Sequence, residues 1–570
     1  MTRIDRIAKK INRVYPHIVV SEKDGCVRLT GEMDRWDDVL SAGKMAVSGH
    51  FFGVLNDIKL AGFTQPPIKR PVLDDDRYDG AVCDVLVIGG GVIGCSIARE
   101  LTRYNIKVIL VEKQSDVATM QSARNDGAIH VGIDLPNKTK KLHYLARSNC
   151  MYEQLSAQLD FPFTRHGQYV LSTSWWHLPI MLALKVKAMR QKITNLQFMG
   201  RRKLAGVVPN LSKNVKFGIL MDKGGCVCPY GMTIAYADNA VQNGAKILLN
   251  TIVTGMDVTD GVIIGVHTNR GIIKPRVVVN AAGVYADVIA EYAQDRFYTI
   301  HPRRGTNLIL DRQSKSHIIN DAGSISMYLS RKLRQRVHSK GGGILQTVDD
   351  NVLVGPDSVE TPYREDHSTT IESINAVMSK HALTSPTMSN RDIINYFTGV
   401  RSATYEEDFV IEYGKKTTNI VHVAGIQSPG LSAAPAIAID VSKMAVVILT
   451  KYRIVLANNK FNPVRKGVTN ISKLSIQERD ELIRINPNYG EIVCRCEGIS
   501  KGEILDALHL PLCVPTLDGI KRRVRAGMGR CQGAFCQPLI MDIIKEDRGL
   551  PYDRISKKGE DRVILSVNKE

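Results

Sequence analysis

The sequence predicts a mixed α/β protein with more than one domain. Its 570 residues exceed what one compact core usually holds, so two to four domains are expected. Apolar strand-like and helical segments alternate from residue 81 to about residue 450, which is typical of a mostly parallel sheet covered by helices. A final block differs in character, because it holds four of the eleven cysteines in two closely spaced pairs.

These composition changes divide the chain into five predicted segments. In chain order they are a small α/β module (1–63), a linker rich in proline and charge (64–80), the main domain (81–450), a polar connector (451–488) and a small C-terminal domain (489–570).

The first module is predicted from its alternating periodicities. Helices are expected over residues 4–14 and 36–45, and strands over 17–20, 27–30 and 54–60. The run VVSEKDGCVRLTGEMDRWDDVLSAGKMAV, followed by GVLNDI, resembles the BON family of small interaction domains. An unrelated α+β cap is the alternative.

The net charge of +19 is compatible with nucleic acid, a membrane surface, an anionic small molecule or merely a solvated basic surface. No run of Lys and Arg is interleaved with aromatic residues, so we expect no nucleic acid partner. The chain start lacks the apolar region and cleavage site of a signal peptide. Residues 433–450 are interrupted by Asp440 and Lys443, which favours a buried helix over a membrane span. We therefore expect a cytoplasmic protein whose cysteines serve metal or redox chemistry and not disulfides.

A glycine-rich turn begins the main domain. Gly89, Gly91 and Gly94 form a GxGxxG pattern between an apolar strand at 83–88 and a helical run at 93–104. A second strand, 107–111, ends in Glu112, 18 residues beyond Gly94, close to the ~20 of a dinucleotide-binding fingerprint. Gly89 permits the tight turn, Gly91 lets the backbone approach a pyrophosphate at the helix N-terminus, and Gly94 lets helix and strand pack. Glu112 would accept a hydrogen bond from a ribose hydroxyl.

Two further segments bear on whether the dinucleotide is NAD or FAD. VVVNAAG (277–283) runs from a strand into a turn of small residues, and VAGIQSPGLS (423–432) precedes a buried helix. With the first motif, in this order, they resemble the D-amino-acid-oxidase and glycerol-3-phosphate-dehydrogenase superfamily of flavoproteins. Over residues 84–450 the nearest resemblance is to the anaerobic-type glycerol-3-phosphate dehydrogenase large subunits and the related 2-hydroxyglutarate oxidases.

This resemblance implies FAD as the cofactor. It also implies an FAD-binding Rossmann-type domain of α/β class, with an inserted antiparallel α+β substrate domain. Beyond the glycine-rich turn, the positions that it implies for FAD contacts are Asn125, Gly283, Gly425, Gly430 and Leu431.

Alcohol oxidation by a flavin needs a base for the hydroxyl proton, and an ordinary histidine, with a pKa near ~6.5, suits that role. His130 lies in NDGAIHVG, which is similar to the family loop N-S-G-x-x-H-x-G, whose histidine is the proposed base. The alternative is a structural histidine in an apolar segment.

An anionic substrate needs fixed cationic donors. The resemblance implies that Arg401 binds the substrate anion, that Ser428 contacts the substrate and that Arg304 takes the place of a phosphate-contacting lysine. Lys141 is a weaker candidate. Ordinary polar packing is the alternative for each of them.

One departure from the family pattern concerns the substrate. Asp126 replaces the small serine of the family loop, and its carboxylate would oppose a phosphate or a second carboxylate. It could equally accept a hydrogen bond from a hydroxyl or an ammonium group. Cys228 stands where many relatives carry Asp, and we interpret Cys226 and Cys228 as structural.

The C-terminal cysteines predict a metal centre. Cys494 and Cys496 are followed after 34 residues by Cys531 and Cys536, and four such thiolates can ligate a [2Fe–2S] cluster. Zinc is the alternative, although its closed sites usually use C-x2–4-C pairs. Cations and glycines in residues 520–530 would stabilise an anionic cluster. The block resembles the bacterioferritin-associated-ferredoxin-like [2Fe–2S] domain, and Cys513 lies outside the pattern.

Together these observations predict a flavin-dependent dehydrogenase for a small anionic secondary alcohol, either glycerol 3-phosphate or a 2-hydroxy acid. The cluster would pass electrons to an acceptor protein or a quinone-reducing subunit, with possible peripheral attachment at the inner face of the membrane through a complex. Two alternatives remain open: an amine or amino-acid dehydrogenase in which Asp126 meets an ammonium group, and a non-catalytic electron-relay subunit.

Overall fold

A computed structural model of the chain describes residues 2–191, 195–207, 211–317, 322–324, 342–382, 385–559 and 564. Within these residues the protein is of mixed α/β class, as predicted. The helices are α1 (Arg3–Asn12), α2 (Trp36–Ala46), α3 (Val92–Leu101), α4 (Lys140–Asn149), α5 (Tyr152–Leu159), α6 (Leu178–Gln191), α7 (Arg201–Val207), α8 (Pro229–Gln242), α9 (Ala286–Tyr292), α10 (Ile371–Ala382), α11 (Gly430–Leu449), α12 (Ile476–Ile485), α13 (Lys501–Leu508), α14 (Leu517–Val524) and α15 (Cys536–Arg548).

The strands, numbered in the same way, fall into five sheets. They are β1 (Val19–Lys23), β2 (Cys26–Met33), β3 (Val54–Leu60), β4 (Ala81–Ile88), β5 (Val108–Val111), β6 (Ala128–Ile129), β7 (Phe163–Arg165), β8 (Gln168–Ser172), β9 (Leu196–Gly200), β10 (Phe217–Met221), β11 (Gly225–Val227), β12 (Lys246–Leu248), β13 (Val253–Thr259), β14 (Val262–Thr268), β15 (Gly271–Asn280), β16 (Ile300–Leu310), β17 (Ala322–Ser324), β18 (Gly343–Gln346), β19 (Val352–Gly355), β20 (Val359–Glu360), β21 (Ile393–Thr404), β22 (Val410–Tyr413), β23 (Ile420–Ala424), β24 (Ile492–Cys494) and β25 (Ile499–Ser500).

The N-terminal module is a three-stranded sheet with two helices. β1 pairs antiparallel with β2, and β3 pairs parallel with β2. A capping box between Thr2 and Asp5 starts α1, and Ile11 from this helix joins the module core with residues of α2 and the sheet. All five predicted elements are present, and their bounds differ from the predicted ones by no more than three residues.

The main sheet has eight strands in the order β12-β5-β4-β15-β14-β13, with β23 beside the C-terminal half of β15 and β22 beside β23. Its central pairs are parallel. Val85 and Val87 pack towards α3, α8 and α11, whereas Leu86 and Ile88 pack on the opposite face, which α9 helps to cover. Both faces are thus buried, which explains the continuous apolar run of β4.

A second, nine-stranded sheet is largely antiparallel. Its order is β20-β16-β19-β18-β17-β8-β10-β9, and the long strand β21 pairs with β16 along almost its whole length. A small sheet, β6-β11-β7, packs against this second sheet through Ala128 and Cys226. These two sheets and the carboxyl ends of β4, β5 and β15 surround the cavity described below.

The predicted linker has no regular secondary structure, but it is attached to the main sheet. Asp75 accepts hydrogen bonds from Nε and Nη2 of Arg270, at 3.0 and 2.9 Å. Asp79 accepts one from the backbone N–H of Ile272 at 2.9 Å. Residues 75–79 therefore lie along the turn between β14 and β15.

Among the described residues, α11 is the one helix long and apolar enough to cross a membrane, and 61% of its most apolar window is buried inside the protein. Ala433, Ala434 and Ile437 of this helix belong to the core beneath the main sheet. The helix is therefore a core element, as its position after β23 predicts.

The predicted connector differs from expectation in two ways. It contains α12, which a capping box between Ser475 and Glu478 starts and which has no buried residue, so it shows no apolar stripe in the sequence. It also carries Arg465, whose guanidinium is buried against the carboxylate of Asp238 in α8 at 2.8 Å. Beyond the connector, β24, β25 and α13 to α15 enclose a separate small core.

Candidate active site

The glycine-rich turn at the end of β4 has the tight geometry that the motif predicts. Gly89 has φ of +112°, and a Cβ there would lie 2.4 Å from the carbonyl oxygen of Ala281. A Cβ on Gly94 would lie 1.9 Å from the carbonyl oxygen of Gly89, so α3 can approach the turn only with glycine at this position. Gly91 is the N-cap of α3, so the positive end of the helix dipole faces this turn.

Glu112 lies opposite this turn at the end of β5. Its carboxylate accepts hydrogen bonds from the backbone N–H of Gly90 at 2.6 Å and of Gln114 at 2.8 Å. Burial raises the pKa of Glu112, although both backbone N–H groups oppose that effect. The two carboxylate oxygens have further lone pairs, which leaves them able to accept from a ribose hydroxyl, and that contact stays a prediction.

A cavity of about 320 Å³ extends from this turn towards the second sheet. Ten of the fourteen predicted cofactor and substrate residues line it, namely Gly89, Gly91, Glu112, Asn125, His130, Gly283, Arg401, Ser428, Gly430 and Leu431. The elongated lining, with glycines and an acid at one end and polar side chains at the other, fits a dinucleotide together with a small substrate.

Two of the predicted cofactor glycines act through the backbone and do not line the cavity. Gly94 packs α3 on β4. Gly425 has φ of +65°, and a Cβ there would lie 3.0 Å from the carbonyl oxygen of Asp408. Gly425 therefore permits the turn that directs residues 426–428 into the cavity. Its predicted contact with FAD stays a prediction.

His130 and Ser428 meet inside the cavity. The backbone N–H of His130 donates to Oγ of Ser432 at 3.0 Å, and its carbonyl accepts from Nδ2 of Asn149 at 3.0 Å. Two elements, α11 and α4, thus hold the backbone of His130 in place. Its Nε2 lies 3.5 Å from Oγ of Ser428.

Arg401 supplies a cation at the same end of the cavity. Its Nη1 donates to the carbonyl of Arg304 at 3.2 Å and its Nη2 to the carbonyl of Asp357 at 3.1 Å. A Cβ on Gly305 would lie 2.3 Å from Nη2, so the guanidinium occupies space that only glycine leaves. Burial and then the charge of Arg303 lower the pKa of Arg401 to about 10, which keeps it cationic at neutral pH. A guanidinium has five N–H donors, so two backbone contacts leave donors for an anion.

Asp126 also lines the cavity. Its Oδ1 accepts from the backbone N–H of Ala128 at 3.1 Å. Its charge raises the pKa of Arg401 against the larger effect of burial, so the two side chains share one electrostatic environment. An anion at Arg401 therefore meets a partly neutralised cation.

Arg304 does not line the cavity, and its predicted substrate contact stays a prediction. Alternation along β16 sends Arg303 and Gly305 to the Arg401 side and Arg304 to the other side. There Nη1 of Arg304 donates to Oδ2 of Asp366 and to Oγ of Ser368, both at 2.9 Å.

Lys141, the weaker candidate, is also outside the cavity. It is buried in α4, and its ammonium donates to the carbonyl of Glu407. Its backbone N–H donates to Oδ1 of Asp408 at 3.0 Å. Both contacts hold the turn after β21, and the predicted substrate contact of Lys141 stays a prediction.

The cavity also contains residues that the sequence did not single out. His367 lines it, and its Nδ1 lies 3.2 Å from the carbonyl of Thr398. Burial and then the charge of Arg124, which also lines the cavity, lower the pKa of His367 to about 4, so this ring is neutral at pH 7. His367 lies in a loop that carries no motif, so no sequence signal indicates it. Arg124 directly precedes the predicted Asn125, and this position beside a motif is a signal that could have indicated it.

The four predicted cluster cysteines come together at one end of the C-terminal block. Sγ of Cys496 lies 4.0 Å from Sγ of Cys494 and 3.6 Å from Sγ of Cys531. A hydrogen bond from Cys536 lowers the pKa of Cys494 to about 6. Cys513 is partly buried against the core of this block and is not part of the group of four thiols.

Backbone groups complete this centre. The backbone N–H of Gly527 donates to Sγ of Cys494 at 3.4 Å, and a Cβ on Gly529 would lie 2.7 Å from Sγ of Cys496. Among the described residues, no group of three or more His, Cys, Asp or Glu side chains is arranged as a site for a metal ion. The thiols instead form a chain of contacts, Cys536 to Cys494 to Cys496 to Cys531, and four cysteine ligands are what a two-iron cluster uses.

The C-terminal block is attached to the main domain by buried ion pairs. Asp116, fully buried beside the dinucleotide turn, accepts from Arg522 at 2.8 Å and from Arg523 at 2.9 Å. On the other side, Arg525 donates to Oδ2 of Asp349 at 2.7 Å. Oη of Tyr230, which follows β11, lies 3.3 Å from Sδ of Met528. These contacts hold the C-terminal block on α8 and on the turn between β18 and β19.

Two family models match the chain. One, described as FAD dependent oxidoreductase, matches residues 84–444, and the other, described as a BFD-like [2Fe–2S] binding domain, matches residues 492–546. Both matches confirm the resemblances stated above. Residues 1–83 lie outside both segments.

Similar proteins of known activity support the same two family assignments. The chain is 35% identical over 485 residues to a glycerol 3-phosphate dehydrogenase of Caloramator mitchellensis, with 85% of this chain and 98% of the relative covered. It is 25% identical over 500 residues to one of the subunits of the anaerobic glycerol-3-phosphate dehydrogenase of Escherichia coli (strain K12), with 80% of this chain and 87% of the relative covered.

Among solved structures, the chain is similar to the dithionite-reduced L-alpha-glycerophosphate oxidase of Mycoplasma pneumoniae with FAD bound. The TM-score is 0.61 and the identity 26%, with 67% of this chain and 98% of that chain covered. The glycine-rich turn, Glu112 and the cavity are the features of this chain that fit such a cofactor.

Proposed function

The chain belongs to the FAD dependent oxidoreductase family, and from this premise we propose that it is a dehydrogenase that oxidises glycerol 3-phosphate. Its cofactors are FAD and a [2Fe–2S] cluster. The observation that supports the reaction best is that His130, Ser428 and Arg401 share one cavity with the dinucleotide turn.

His130 and Ser428 are the groups suited to proton removal. With the imidazole proton on Nδ1, Nε2 can accept the proton of a substrate hydroxyl, and the nearby Oγ of Ser428 can orient that hydroxyl. Bound FAD supplies the acceptor for the hydride that leaves the substrate carbon. Because α4 and α11 hold the His130 backbone, the base keeps its position as substrate enters.

Arg401 and Asp126 divide the recognition of the two ends of the substrate in this proposal. The guanidinium of Arg401 binds the phosphate with its remaining donors. Asp126 accepts a hydrogen bond from the primary hydroxyl of glycerol 3-phosphate. The residue that replaces the family serine thus contacts the uncharged end of the substrate. A second phosphate or carboxylate at that end would face the Asp126 charge.

We further propose a domain division that matches the predicted segments, with a Rossmann-type FAD domain and the nine-stranded sheet as the inserted substrate domain. Support for this comes from the largely parallel main sheet and the largely antiparallel second sheet, with the cavity between them.

For the electron acceptor we propose a companion protein, with attachment to the inner face of the membrane through that complex and the rest of the protein in the cytoplasm. The E. coli relative is named as one part of a larger enzyme, which supports this. So does the exposure of the cluster ligands, because Cys494 and Cys536 are buried whereas Cys496 is exposed. A partner can approach the cluster on the side of Cys496.

A second candidate is an amine or amino-acid dehydrogenase. The observation that favours it is the carboxylate of Asp126 in the cavity, which can meet an ammonium group. An electron relay without a substrate is the third possibility, and it requires that His130 has no catalytic role.

An anaerobic substrate screen by stopped-flow absorbance tests these proposals. Glycerol 3-phosphate, 2-hydroxyglutarate and a panel of amino acids are mixed in turn with the holoenzyme. We expect flavin bleaching with glycerol 3-phosphate. Bleaching by an amino acid alone would replace the first proposal with the second, and no bleaching by any of them would favour the relay.

A further inference from the structure

We infer that the N-terminal module, residues 2–63, holds the residues at the substrate end of the cavity in position. Nothing in the two matched families covers this module. The inference goes further than its resemblance to an interaction domain, and it rests on the proposed function only where substrate binding is measured.

The connection runs through the turn Tyr405-Glu406-Glu407, which follows β21, the strand that carries Arg401. Tyr405 is part of the module core and not of the main core. Its Oη accepts from Nδ2 of Asn56 at 2.8 Å. A Cβ on Gly43 of α2 would lie 2.3 Å from a ring carbon of Tyr405, so the ring lies directly on the helix backbone.

Glu406 is bound to the edge of β3, the last strand of the module. Its Oε1 accepts from the backbone N–H of Val54 at 3.0 Å. Two residues along the same edge, the N–H of Asn56 donates to Oγ1 of Thr299 at 3.0 Å. Side chains of the main domain thus satisfy an edge that would otherwise present unpaired N–H groups.

Glu407 faces the other way, towards the cavity. Its Oε1 accepts from Nη2 of Arg303 at 2.6 Å, and its Oε2 accepts from Nε2 of Gln427 at 2.7 Å. Gln427 lines the cavity and immediately precedes Ser428, and Arg303 lies opposite Arg401 in the β16–β21 register. Three consecutive residues therefore join the module core and β3 edge to the side chains that frame the substrate.

A second connection runs parallel to the first. Lys44 of α2 lies 3.9 Å from Oε1 of Glu360, which also accepts from Nε of Arg303 at 2.8 Å. His301 completes the link, because its ring stacks on Tyr405 with centroids 4.8 Å apart and its Nδ1 lies 3.2 Å from Glu360. A shift of the module would thus move Arg303 from two directions.

A misplacement of about 1 Å in a positioning group can cost about 10²-fold in rate, so loss of this connection should impair the enzyme. Gly43→Ala tests it with one added methyl group that must displace the Tyr405 ring, while alanine favours the α2 helix itself. Gly49→Ala is the matched control, because nothing lies within 4 Å of a Cβ at Gly49. A second pair is Glu406→Leu, which removes the acceptor for Val54, and Glu406→Gln, which keeps an oxygen there.

The readouts are amide hydrogen exchange of residues 426–432 in the holoenzyme and the KM for glycerol 3-phosphate. For Gly43→Ala and Glu406→Leu we expect faster exchange in that segment and a KM raised about tenfold, with FAD and cluster content unchanged and with Gly49→Ala and Glu406→Gln like the natural protein. Faster exchange confined to residues 2–63 would overturn the inference. So would faster exchange at 426–432 with an unchanged KM, because the module would then only stabilise the fold. If the unaltered protein does not oxidise glycerol 3-phosphate, the proposed function fails and the exchange measurement alone decides the inference.

Discussion

Oγ of Ser428 lies 3.5 Å from Nε2 of His130, although the two residues are 298 positions apart in the chain. Only the return of the chain after β23 brings them together, and both side chains line the cavity. This pairing supports the proposal that His130 takes up the substrate proton.

His130→Asn should lower the rate of flavin reduction by about 10²- to 10⁴-fold, because general-base catalysis by a positioned side chain contributes about that much. FAD content should stay the same, since the predicted cofactor contacts lie elsewhere. Anaerobic stopped-flow absorbance at saturating substrate measures the rate. His143→Asn is the control, because His143 is exposed on α4. An unchanged rate in His130→Asn would exclude His130 as the base.

Arg401→Met should lower kcat/KM by about 30- to 1,000-fold, since the loss of one partner of a desolvated charged contact costs about 2–4 kcal/mol. Arg304→Met is a matched change on the neighbouring strand, and we expect an effect of less than about threefold because its guanidinium binds Asp366 outside the cavity. Steady-state kinetics of both variants checks this. Equal losses would show that Arg304 contacts substrate after all.

Asp126→Ser should raise the KM for glycerol 3-phosphate by about tenfold, because the proposal has Asp126 bind the primary hydroxyl and about 1.4 kcal/mol corresponds to tenfold in affinity. A KM lowered by a similar factor would show that repulsion of the phosphate by Asp126 dominates instead. Asp126→Asn separates the charge from the hydrogen bond. Loss of activity towards an amino acid in Asp126→Ser would support the second candidate function.

The parts of this site that depend on contiguous residues could be predicted from the sequence. The glycine-rich turn places its glycines within six residues, and the four cysteines form two short pairs 34 residues apart, so spacing indicates a dinucleotide site and a metal centre. The family resemblance implies a substrate role for His130, Arg401 and Ser428, and the structure brings these three residues into one cavity. Arg304 shows the limit of this approach, because alternation along β16 places its side chain on the face of the sheet away from Arg401, and the sequence does not reveal that face.

Other features had no local signal. His367 enters the cavity from a loop whose course depends on distant contacts. Helix α12 was missed because it buries no residue and so shows no apolar periodicity. The docking of Tyr405 into the N-terminal module joins residues about 350 positions apart, such as Asn56 and Tyr405, and single-sequence periodicity does not report such pairs.

Cys531→Ala should abolish the cluster without preventing flavin bleaching by substrate, because the FAD site and the cluster are held by separate parts of the chain. Transfer of electrons to a protein acceptor should then fall to background. Visible absorbance and electron paramagnetic resonance of the reduced protein measure the cluster. Cys513→Ala, outside the group of four thiols, should retain it. A cluster that persists in Cys531→Ala would show that the ligand set is wrong.

Asp116→Asn should detach or loosen the C-terminal block. The native carboxylate is fully buried between Arg522 and Arg523, and removal of one partner of a buried ion pair costs about 3–5 kcal/mol. Burial alone would raise the pKa of Asp116, but the two arginines outweigh burial and lower it. A depressed carboxylate pKa contributes stability that is present above the unfolded value of about 3.9 and is lost as pH falls through the folded value.

The difference in stability between the natural protein and Asp116→Asn should therefore be constant from about pH 5 to 8 and shrink below about pH 4. Urea unfolding followed by the visible absorbance of the cluster measures it at each pH. Asp480→Asn, which removes an exposed ion pair with Arg484, should change stability by less than about 1 kcal/mol. A loss equally small for Asp116→Asn would mean that the attachment of the block depends on Arg525 and Asp349 on its other side, and not on the buried carboxylate.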